Sequence, residues 1–264
     1  MSSPRLPDLL TTANLACGLA AILFAAQGEL TAACWLVFAG AGFDVLDGLA
    51  ARALGGGSEL GRQLDSLADM VTFGVAPGCI SAIVPGAPLA PAPSPDGGPG
   101  LPAAPCSMLG EPLWASLLGA LVIAIASMWR LARFNIDTRQ ANGFLGLATP
   151  ANALLWASLA IIAQGVGMRP GPRAVELQGL IDAFMASPVQ KLLLAIALGG
   201  LMLSSIPLPS LKFKHSRWQG NQVIYLLIGA GGLLVLLYGI LAVPLIVLAY
   251  LLSPLWGRMF RAGA

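Results

Sequence analysis

Four aspartates stand close together in a segment that is otherwise rich in apolar and small residues. Residues 42–77 read GFDVLDGLAARALGGGSELGRQLDSLADMVTFGVAP, and the acids of interest are Asp44, Asp47, Asp65 and Asp69. Residues three or four apart share a helix face, so each pair points the same way. Like charges this close oppose each other's ionisation, and bound divalent cations relieve that conflict. An all-oxygen site suits Mg²⁺, Mn²⁺ or Ca²⁺, and two such ions are able to clamp a phosphoryl group.

Small and basic residues flank the acids on the first of these two helices. Gly48 and Ala51 leave room beside the acids, although small residues also serve simple close packing between membrane helices. Arg52 lies about two turns after Asp44 on the same face, and its guanidinium fork suits a phosphate group. The glycine-rich loop that follows contains Ser58, which adds a hydroxyl group at the mouth of the predicted site.

The composition places these helices in a membrane. Hydrophobic residues make up 57% of the 264 residues and charged residues 10%, whereas a soluble domain is about 25% charged. Eight apolar stretches come close to the roughly 20 residues that a spanning helix needs; they cover residues 9–27, 30–53, 63–85, 112–134, 146–167, 188–207, 221–239 and 241–257. The last two are either a tight hairpin or one kinked helix.

These stretches predict an all-α, polytopic membrane helical bundle with about eight transmembrane helices. Residues 1–264 form a single membrane domain in this prediction, with the catalytic helices at about 9–167 and the C-terminal helices at about 188–257. Continuous apolar runs argue against an outer-membrane barrel, whose strands alternate in polarity. A net charge of +2 is too small for a nucleic-acid binder.

Basic residues set the predicted orientation. With the N-terminus in the cytoplasm, three of them (Arg169, Arg173 and Lys191) fall outside. Eleven fall on the cytoplasmic side, namely Arg5, Arg52, Arg62, Arg130, Arg133, Arg139, Lys212, Lys214, Arg217, Arg258 and Arg261. This bias predicts that both termini are cytoplasmic and that the site opens toward the cytoplasm from the inner membrane. The proline-rich stretch 86–110 is predicted to be an irregular outer linker.

The spacing of the acids resembles the signature of the CDP-alcohol phosphotransferase family. In this chain the pattern reads Asp44-x2-Asp47-Gly48-x2-Ala51-Arg52-x8-Gly61-x3-Asp65-x3-Asp69. Residues 7–14, 65–77, 130–135 and 144–150 further resemble the phosphatidylserine synthase branch of that family. Two positions depart from the branch: Asp8 stands where Asn is more usual, and Ala148 where Pro is more usual.

The resemblance implies a transferase that moves the phosphatidyl group of CDP-diacylglycerol to the hydroxyl group of L-serine and releases CMP. It implies divalent cations held by Asp44, Asp47 and Asp65, with Asp69 beside them as a further ligand and as the general base. It also implies a homodimer in contact with membrane lipids. The implied contacts to the CDP moiety are Asp8, Thr11, Asp47, Gly48, Ala51, Arg52 and Ser58.

The carboxylate of serine needs a cationic partner. Arg130 and Arg133 lie at the cytoplasmic end of the fourth apolar stretch, next to Asn135, and either guanidinium is able to bind a carboxylate bidentately. Both arginines are equally well explained as positive-inside anchors. Two alternatives stay open. One is the same chemistry with glycerol 3-phosphate, inositol phosphate or choline as acceptor, and the other is a divalent-cation transporter whose acids form the ion pathway.

Overall fold

The computed structural model describes residues 5–56, 58–84, 113–136, 144–167, 171–208 and 222–261. The predicted linker at residues 86–110 lies outside this range. Five of the basic residues that set the predicted orientation also lie outside it, namely Arg139, Arg169, Lys212, Lys214 and Arg217.

Helices account for nearly all of the described chain, which confirms the all-α prediction. They are α1 (Leu6–Ala26), α2 (Leu30–Ala53), α3 (Glu59–Asp69), α4 (Ala76–Ile83), α5 (Leu113–Ile136), α6 (Thr149–Ala163), α7 (Pro172–Ala186), α8 (Pro188–Leu203), α9 (Gln222–Tyr238) and α10 (Ala242–Arg261). A π-helical turn, Met70–Val75, joins α3 to α4. Two-residue strands, β1 (Phe144–Leu145) and β2 (Pro207–Leu208), pair antiparallel between the α5–α6 connection and the end of α8.

Several of these helices are long and apolar enough to cross a membrane. Four qualify in the described part of the chain: α1, α2, the continuous run Glu59–Ile83 and Trp114–Ile136. A fifth span results if α7 and α8, which meet at an angle of 94°, count as one broken span. Helix α6 is apolar but has only 15 residues. The chain is therefore a membrane protein by length and composition of its helices, while eight spans and cytoplasmic termini stay predictions.

Two tight turns place α2 and α3 against α1. Gly28, with φ of 85°, ends α1, and α2 returns antiparallel along it. Gly55 and Gly56 have φ of 91° and 111° in the loop that leads into α3. Only glycine adopts such angles without strain, which is why the loop is rich in glycine. Ser58 then caps α3, since its Oγ accepts a hydrogen bond of 2.9 Å from Gly61 N.

The π-helical turn begins directly after Asp69 and packs closely against α1 and α2. A Cβ atom on Gly18 of α1 would lie 2.7 Å from Thr72 Cα, and one on Gly40 of α2 would lie 2.6 Å from Thr72 Cγ2. Neither distance is compatible with a real side chain, so glycine at both positions allows the three segments to meet. Thr72 Oγ1 donates to the carbonyl oxygen of Asn14 at 2.9 Å, which fastens the turn to α1.

Helix α6 forms the centre of the bundle and is buried along most of its length. Its fully buried residues include Trp156, Ile161 and Ile162, and they pack in one core with Phe73 of the π-helical turn.

Lys191 of α8 is buried at the end of the run Glu59–Ile83 that lies farthest from the acids. Its Nζ donates to the carbonyl oxygens at positions 81 and 84, each at 3.0 Å.

Two features of the C-terminal half differ from or add to the sequence prediction. Helix α7 lies between the predicted stretches 146–167 and 188–207, where no helix was predicted. Its Arg173, Glu176 and Asp182 interrupt any apolar run, so hydropathy alone passes over it. Helices α9 and α10 are separate, because the chain turns at Gly239, with φ of 62°. Of the two options left open, the hairpin is the one the structure contains.

Candidate functional site

Three of the four aspartates converge between α2 and α3. One carboxylate oxygen from each of Asp44, Asp47 and Asp65 lies within 4.8 Å of the other two. Asp47 is buried, and the other two are partly buried. The helix turn that separates Asp44 from Asp47, together with the short glycine loop, produces this arrangement, as the spacing predicts.

Asp69 lies one turn beyond Asp65 and is 7% exposed. It is outside the group of three, but the charges of Asp44, Asp65 and Asp47 all act on it. Asn14 of α1 donates its Nδ2 hydrogen to Asp69 Oδ1 at 3.0 Å. Asp69 therefore sits next to the acid group, deeper in the bundle and held from the side of α1.

The acids have few compensating partners. Thr11 Oγ1 lies 2.7 Å from Asp47 Oδ2 and 3.0 Å from the carbonyl oxygen of Pro7, and its single proton serves one of them at a time. Asp65 Oδ1 is buried without a hydrogen-bond partner among the described residues. In the same part of the chain, none of the four acids forms a salt bridge with lysine or arginine; the ion pair found there joins Arg62 to Glu59 on the surface.

This donor set fits divalent cations. Buried charges without partners are strongly destabilising, and a cation that binds three carboxylates removes that cost. Oxygen donors alone, with no histidine or cysteine among them, match the preference of Mg²⁺, Mn²⁺ and Ca²⁺. The unpartnered oxygen of Asp65 is the kind of atom that such an ion would coordinate. The chain therefore contains an acidic cluster suited to a metal, without indicating which metal.

A cavity of about 420 Å³ opens beside the acids, between the start of α1, the end of α2 and the start of α3. It is large enough for part of a nucleotide, because ligand pockets range from about 300 to 1,000 Å³. Its walls include most of the residues predicted to contact a CDP moiety: Asp8, Thr11, Asp47, Gly48, Ala51 and Ser58. Asp65 also lines it, so the cavity and the acid cluster share a wall.

Arg52 is the predicted nucleotide contact that does not line the cavity. A Cβ atom placed on Gly48 would lie 3.8 Å from Arg52 Nη1, so the guanidinium occupies the space next to that glycine. Ser58 lines the cavity while it caps α3, and its hydroxyl proton is not used by the cap. Its residue type is thus explained in part by helix capping.

Several residues of this region were not predicted to be part of the site. Gly61 lines the cavity, and a Cβ atom there would lie 3.1 Å from Ser58 Oγ and 3.2 Å from Asp8 Oδ1. Its fixed place in the spacing pattern was a usable signal. Arg5 and Arg62 also line the cavity. Asn14 could not have been singled out, because its contact with Asp69 spans 55 residues of the chain.

The three predicted serine contacts are spread over different surroundings. Arg130 is buried; its Nε donates to the carbonyl oxygen of Leu147, and its Nη2 has no hydrogen-bond partner among the described residues. Arg133 is exposed and donates to the carbonyl oxygen of Leu203 at 3.0 Å. Asn135 Nδ2 donates to Ser66 Oγ at 2.9 Å.

Arg130 is the buried member of the three and lies close enough to Asp69 for the two charges to interact, although their side chains form no salt bridge in the described structure. The hydrogen bond of Arg133 connects the end of α5 to α8, and that of Asn135 connects it to α3. The structure therefore does not gather the three residues around one point.

Comparison with known proteins gives a consistent result. A sequence model described as CDP-alcohol phosphatidyltransferase matches residues 5–237. The chain is similar to the CDP-diacylglycerol–serine O-phosphatidyltransferase of Bacillus subtilis, with 33% identity over 145 residues that cover 55% of this chain and 69% of the relative. It is also similar to the protein of the same name from Helicobacter pylori strain 26695, with 30% identity over 235 residues, 84% of this chain and 78% of the relative.

A third relative comes from an archaeon. It is the archaetidylserine synthase of Methanothermobacter thermautotrophicus, which is 32% identical over 153 residues, 56% of this chain and 54% of the relative. The first two names specify a serine O-phosphatidyltransferase, and the third names a synthase of archaetidylserine.

Proposed function

The chain belongs to the CDP-alcohol phosphatidyltransferase family, and we propose that it transfers the phosphatidyl group of CDP-diacylglycerol to the hydroxyl group of L-serine. The products are phosphatidylserine and CMP. The names of the Bacillus and Helicobacter relatives support serine as the acceptor. Such an enzyme belongs to phospholipid biosynthesis, and one of its two substrates, CDP-diacylglycerol, is itself a membrane lipid.

One observation carries this proposal: three carboxylates from two helices meet within 4.8 Å, and two of them, Asp47 and Asp65, line an open cavity. A structural acid cluster would need no cavity, and a simple nucleotide pocket would need no unpaired carboxylates. Transfer of a phosphatidyl group from a pyrophosphate needs both, because the cleaved phosphoanhydride is anionic and must be bound and neutralised at the same place.

We assign the cation site to Asp44, Asp47 and Asp65, with Asp69 beside them. Mg²⁺ or Mn²⁺ is the proposed occupant, and Ca²⁺ is a third option. When bound, such ions neutralise the pyrophosphate and stabilise the negative charge that develops on the departing CMP. Thr11 has a supporting role in this assignment, since its hydroxyl hydrogen bond holds one oxygen of Asp47 and leaves the other available.

The nucleotide is assigned to the cavity. Gly48, Ala51 and Gly61 keep the wall free of side chains, which allows a flat group to approach the backbone. Asp8 and Ser58, which lie beside Gly61, supply an acceptor and a hydroxyl group. Arg52 lies behind Gly48, from where its guanidinium is able to reach a phosphate oxygen once the nucleotide is present.

Asp69 is the proposed general base. It accepts the proton of the serine hydroxyl as that oxygen attacks phosphorus, a new P–O bond forms, and the bond to the CMP oxygen breaks in the same displacement. Its position one turn deeper than Asp65 separates it from the cavity that we assign to the nucleotide. The acceptor is thus expected to approach from the bundle side of the acids, opposite the departing CMP, as an in-line displacement requires.

Among the candidate serine contacts, the surroundings favour Arg130. Its Nη2 is buried without a hydrogen-bond partner in the described chain, and its charge interacts with Asp69. A carboxylate placed there would satisfy that donor close to the proposed base. Arg133 and Asn135 keep the end of α5 in place through their contacts with Leu203 and Ser66, so their proposed influence on serine is indirect.

The remaining assignments follow from the positive-inside pattern and the family. We propose that the enzyme lies in the inner membrane, with the cavity open to the cytoplasm, where CDP-diacylglycerol presents its head group. We also propose a homodimer. The exposed apolar surfaces of α9, including Leu233, Leu236 and Leu237, are available for contact with lipid or with a second copy.

The direct test is incubation of the purified chain with CDP-diacylglycerol, Mg²⁺ or Mn²⁺ and one alcohol at a time. Serine, glycerol 3-phosphate, inositol phosphate and choline are compared by CMP release and by lipid product. We expect product with serine and CMP release that stops when the metal is chelated. Product with another alcohol in place of serine would contradict the proposed acceptor. Cation flux in liposomes without CMP release would favour the transporter.

A further inference from the structure

Asn14 is a buried polar residue of α1 to which the proposed reaction gives no role. Its side chain is fully buried, and its Nδ2 donates a hydrogen bond of 3.0 Å to Asp69 Oδ1. Its own Oδ1 is buried without a hydrogen-bond partner among the described residues. An unpaired amide oxygen destabilises a protein interior, so stability alone would favour an apolar residue at this position. The hydrogen bond to Asp69 is what the asparagine adds.

The packing around Asn14 holds its amide in one place. Thr72 Oγ1 donates to the main-chain oxygen of Asn14 at 2.9 Å, and thereby fixes this turn of α1 against the π-helical turn. On the other side, a Cβ atom on Gly40 would lie 3.1 Å from Asn14 Oδ1, so helix α2 closes directly over the amide oxygen. The side chain has little room to change its rotamer.

This fixed amide constrains the carboxylate of Asp69. A hydrogen bond to Oδ1 leaves Oδ2 as the oxygen that is free to take a proton from an incoming hydroxyl group. The reversed amide would place two oxygens against each other, so the donor orientation is the chemically sensible one. A catalytic base that turns away from its substrate by about 1 Å loses on the order of a hundredfold in rate.

We infer that Asn14 is a positioning residue for Asp69, and this inference rests on the proposed function, in which Asp69 is the base. The amide holds Asp69 Oδ1, and the glycines of α1 and α2 with Thr72 hold the amide. Asn14 itself touches neither the acceptor nor the lipid substrate. Its removal is therefore expected to slow turnover without weakening substrate binding.

The test uses the full chain in lipid nanodiscs, with Asn14→Leu as the main variant. Leucine has a similar volume and no donor. We expect kcat for serine-dependent CMP release to fall by about 10–100-fold, while KM for CDP-diacylglycerol changes by less than about threefold. Binding of Mn²⁺ alone, followed by electron paramagnetic resonance, is expected to stay within about threefold of the wild type, since Asn14 contacts none of the three clustered acids.

Lys191→Met is the control for a loss of stability alone. It removes two hydrogen bonds to main-chain oxygens at the end of the run Glu59–Ile83 that lies farthest from the acids, and it leaves the contact between Asn14 and Asp69 in place. We expect a lower unfolding temperature with kcat within about threefold of the wild type. Asn14→Ser is a second variant with a side chain too short to reach Asp69, and it is expected to lose as much kcat as Asn14→Leu.

Three outcomes would overturn the inference: an unchanged kcat in Asn14→Leu, equal losses of kcat and unfolding temperature in Asn14→Leu and Lys191→Met, or failure of both Asn14 variants to fold. The last would show that the residue is needed for structure. Failure of the proposed function is a separate result, because it would appear as a wild type that forms no product with serine.

Discussion

A substitution of Gly18 tests whether the close packing of α1 against the π-helical turn positions the acids. The substitution Gly18→Ala adds one methyl group, whose carbon would lie 2.3 Å from Thr72 Oγ1, 2.7 Å from Thr72 Cα and 2.9 Å from Thr72 N. Two of these three atoms belong to the backbone, so no side-chain rotation relieves the overlap. The α1 helix and the π-helical turn must move apart by roughly 0.7 Å before the contact with Cα reaches ordinary van der Waals distance.

That movement has two expected consequences. Overpacking of this kind costs about 1–3 kcal/mol of unfolding free energy. The π-helical turn follows Asp69 directly, and Thr72 in that turn is hydrogen-bonded to Asn14. A shift of this size therefore also displaces the proposed base. We expect kcat for CMP release to fall by about tenfold to a hundredfold.

The matched control is Gly42→Ala on α2. A Cβ atom at Gly42 meets nothing within 4 Å, and alanine is favoured over glycine in a helix by about 0.5–1 kcal/mol. Both variants are compared with the wild type by thermal unfolding and by turnover in nanodiscs. If Gly18→Ala proves as stable and as active as Gly42→Ala, then the close approach of α1 to the π-helical turn does not position the site.

Three further substitutions separate chemistry from structure. Asp69→Asn should lower turnover by at least about a hundredfold while CDP-diacylglycerol binding persists; retained turnover would remove Asp69 as the base. Thr11→Val breaks the 2.7 Å hydrogen bond to Asp47 and should weaken Mn²⁺ binding by about 10–100-fold; unchanged binding would show that Asp47 needs no such support. Lys191→Met removes two hydrogen bonds to main-chain oxygens at the end of α4 and should cost about 1.5–3 kcal/mol of stability with kcat unchanged; a selective loss of kcat would argue against a purely structural lysine.

The acid cluster was predictable because its geometry is local. Asp44 and Asp47 share a helix face by spacing alone, and the short glycine loop around Gly55 lets α3 bring Asp65 back toward them. Part of the cavity wall follows from the same short segment, which includes Gly48 and Ser58, and the rest, with Asp8 and Thr11, comes from the start of α1. Such features depend on helix periodicity and turn chemistry, both of which can be read from a single chain.

Other parts of the site depend on contacts between distant segments. Asn14 meets Asp69 only because Gly18 and Gly40 allow close packing, and no pattern in the chain reveals the π-helical turn that makes this possible. The burial of Arg130 likewise depends on a distant segment, since the chain around Leu147 packs against it and accepts its hydrogen bond. Hydropathy does not predict α7, because its charged residues lower the mean hydropathy of a helix that nevertheless packs against α6 and α8.

The proposed reaction requires that the carboxylates of α2 and α3 together bind divalent cations. Its most direct measurement is a titration of the purified chain with Mn²⁺ alone, followed by electron paramagnetic resonance. The titration compares the wild type, a variant combining Asp44→Asn, Asp47→Asn and Asp65→Asn, and the remote control Glu29→Gln. We expect saturable binding in the wild type and in Glu29→Gln, and none in the triple variant. Equal Mn²⁺ binding by all three proteins, or none by the wild type, would contradict it.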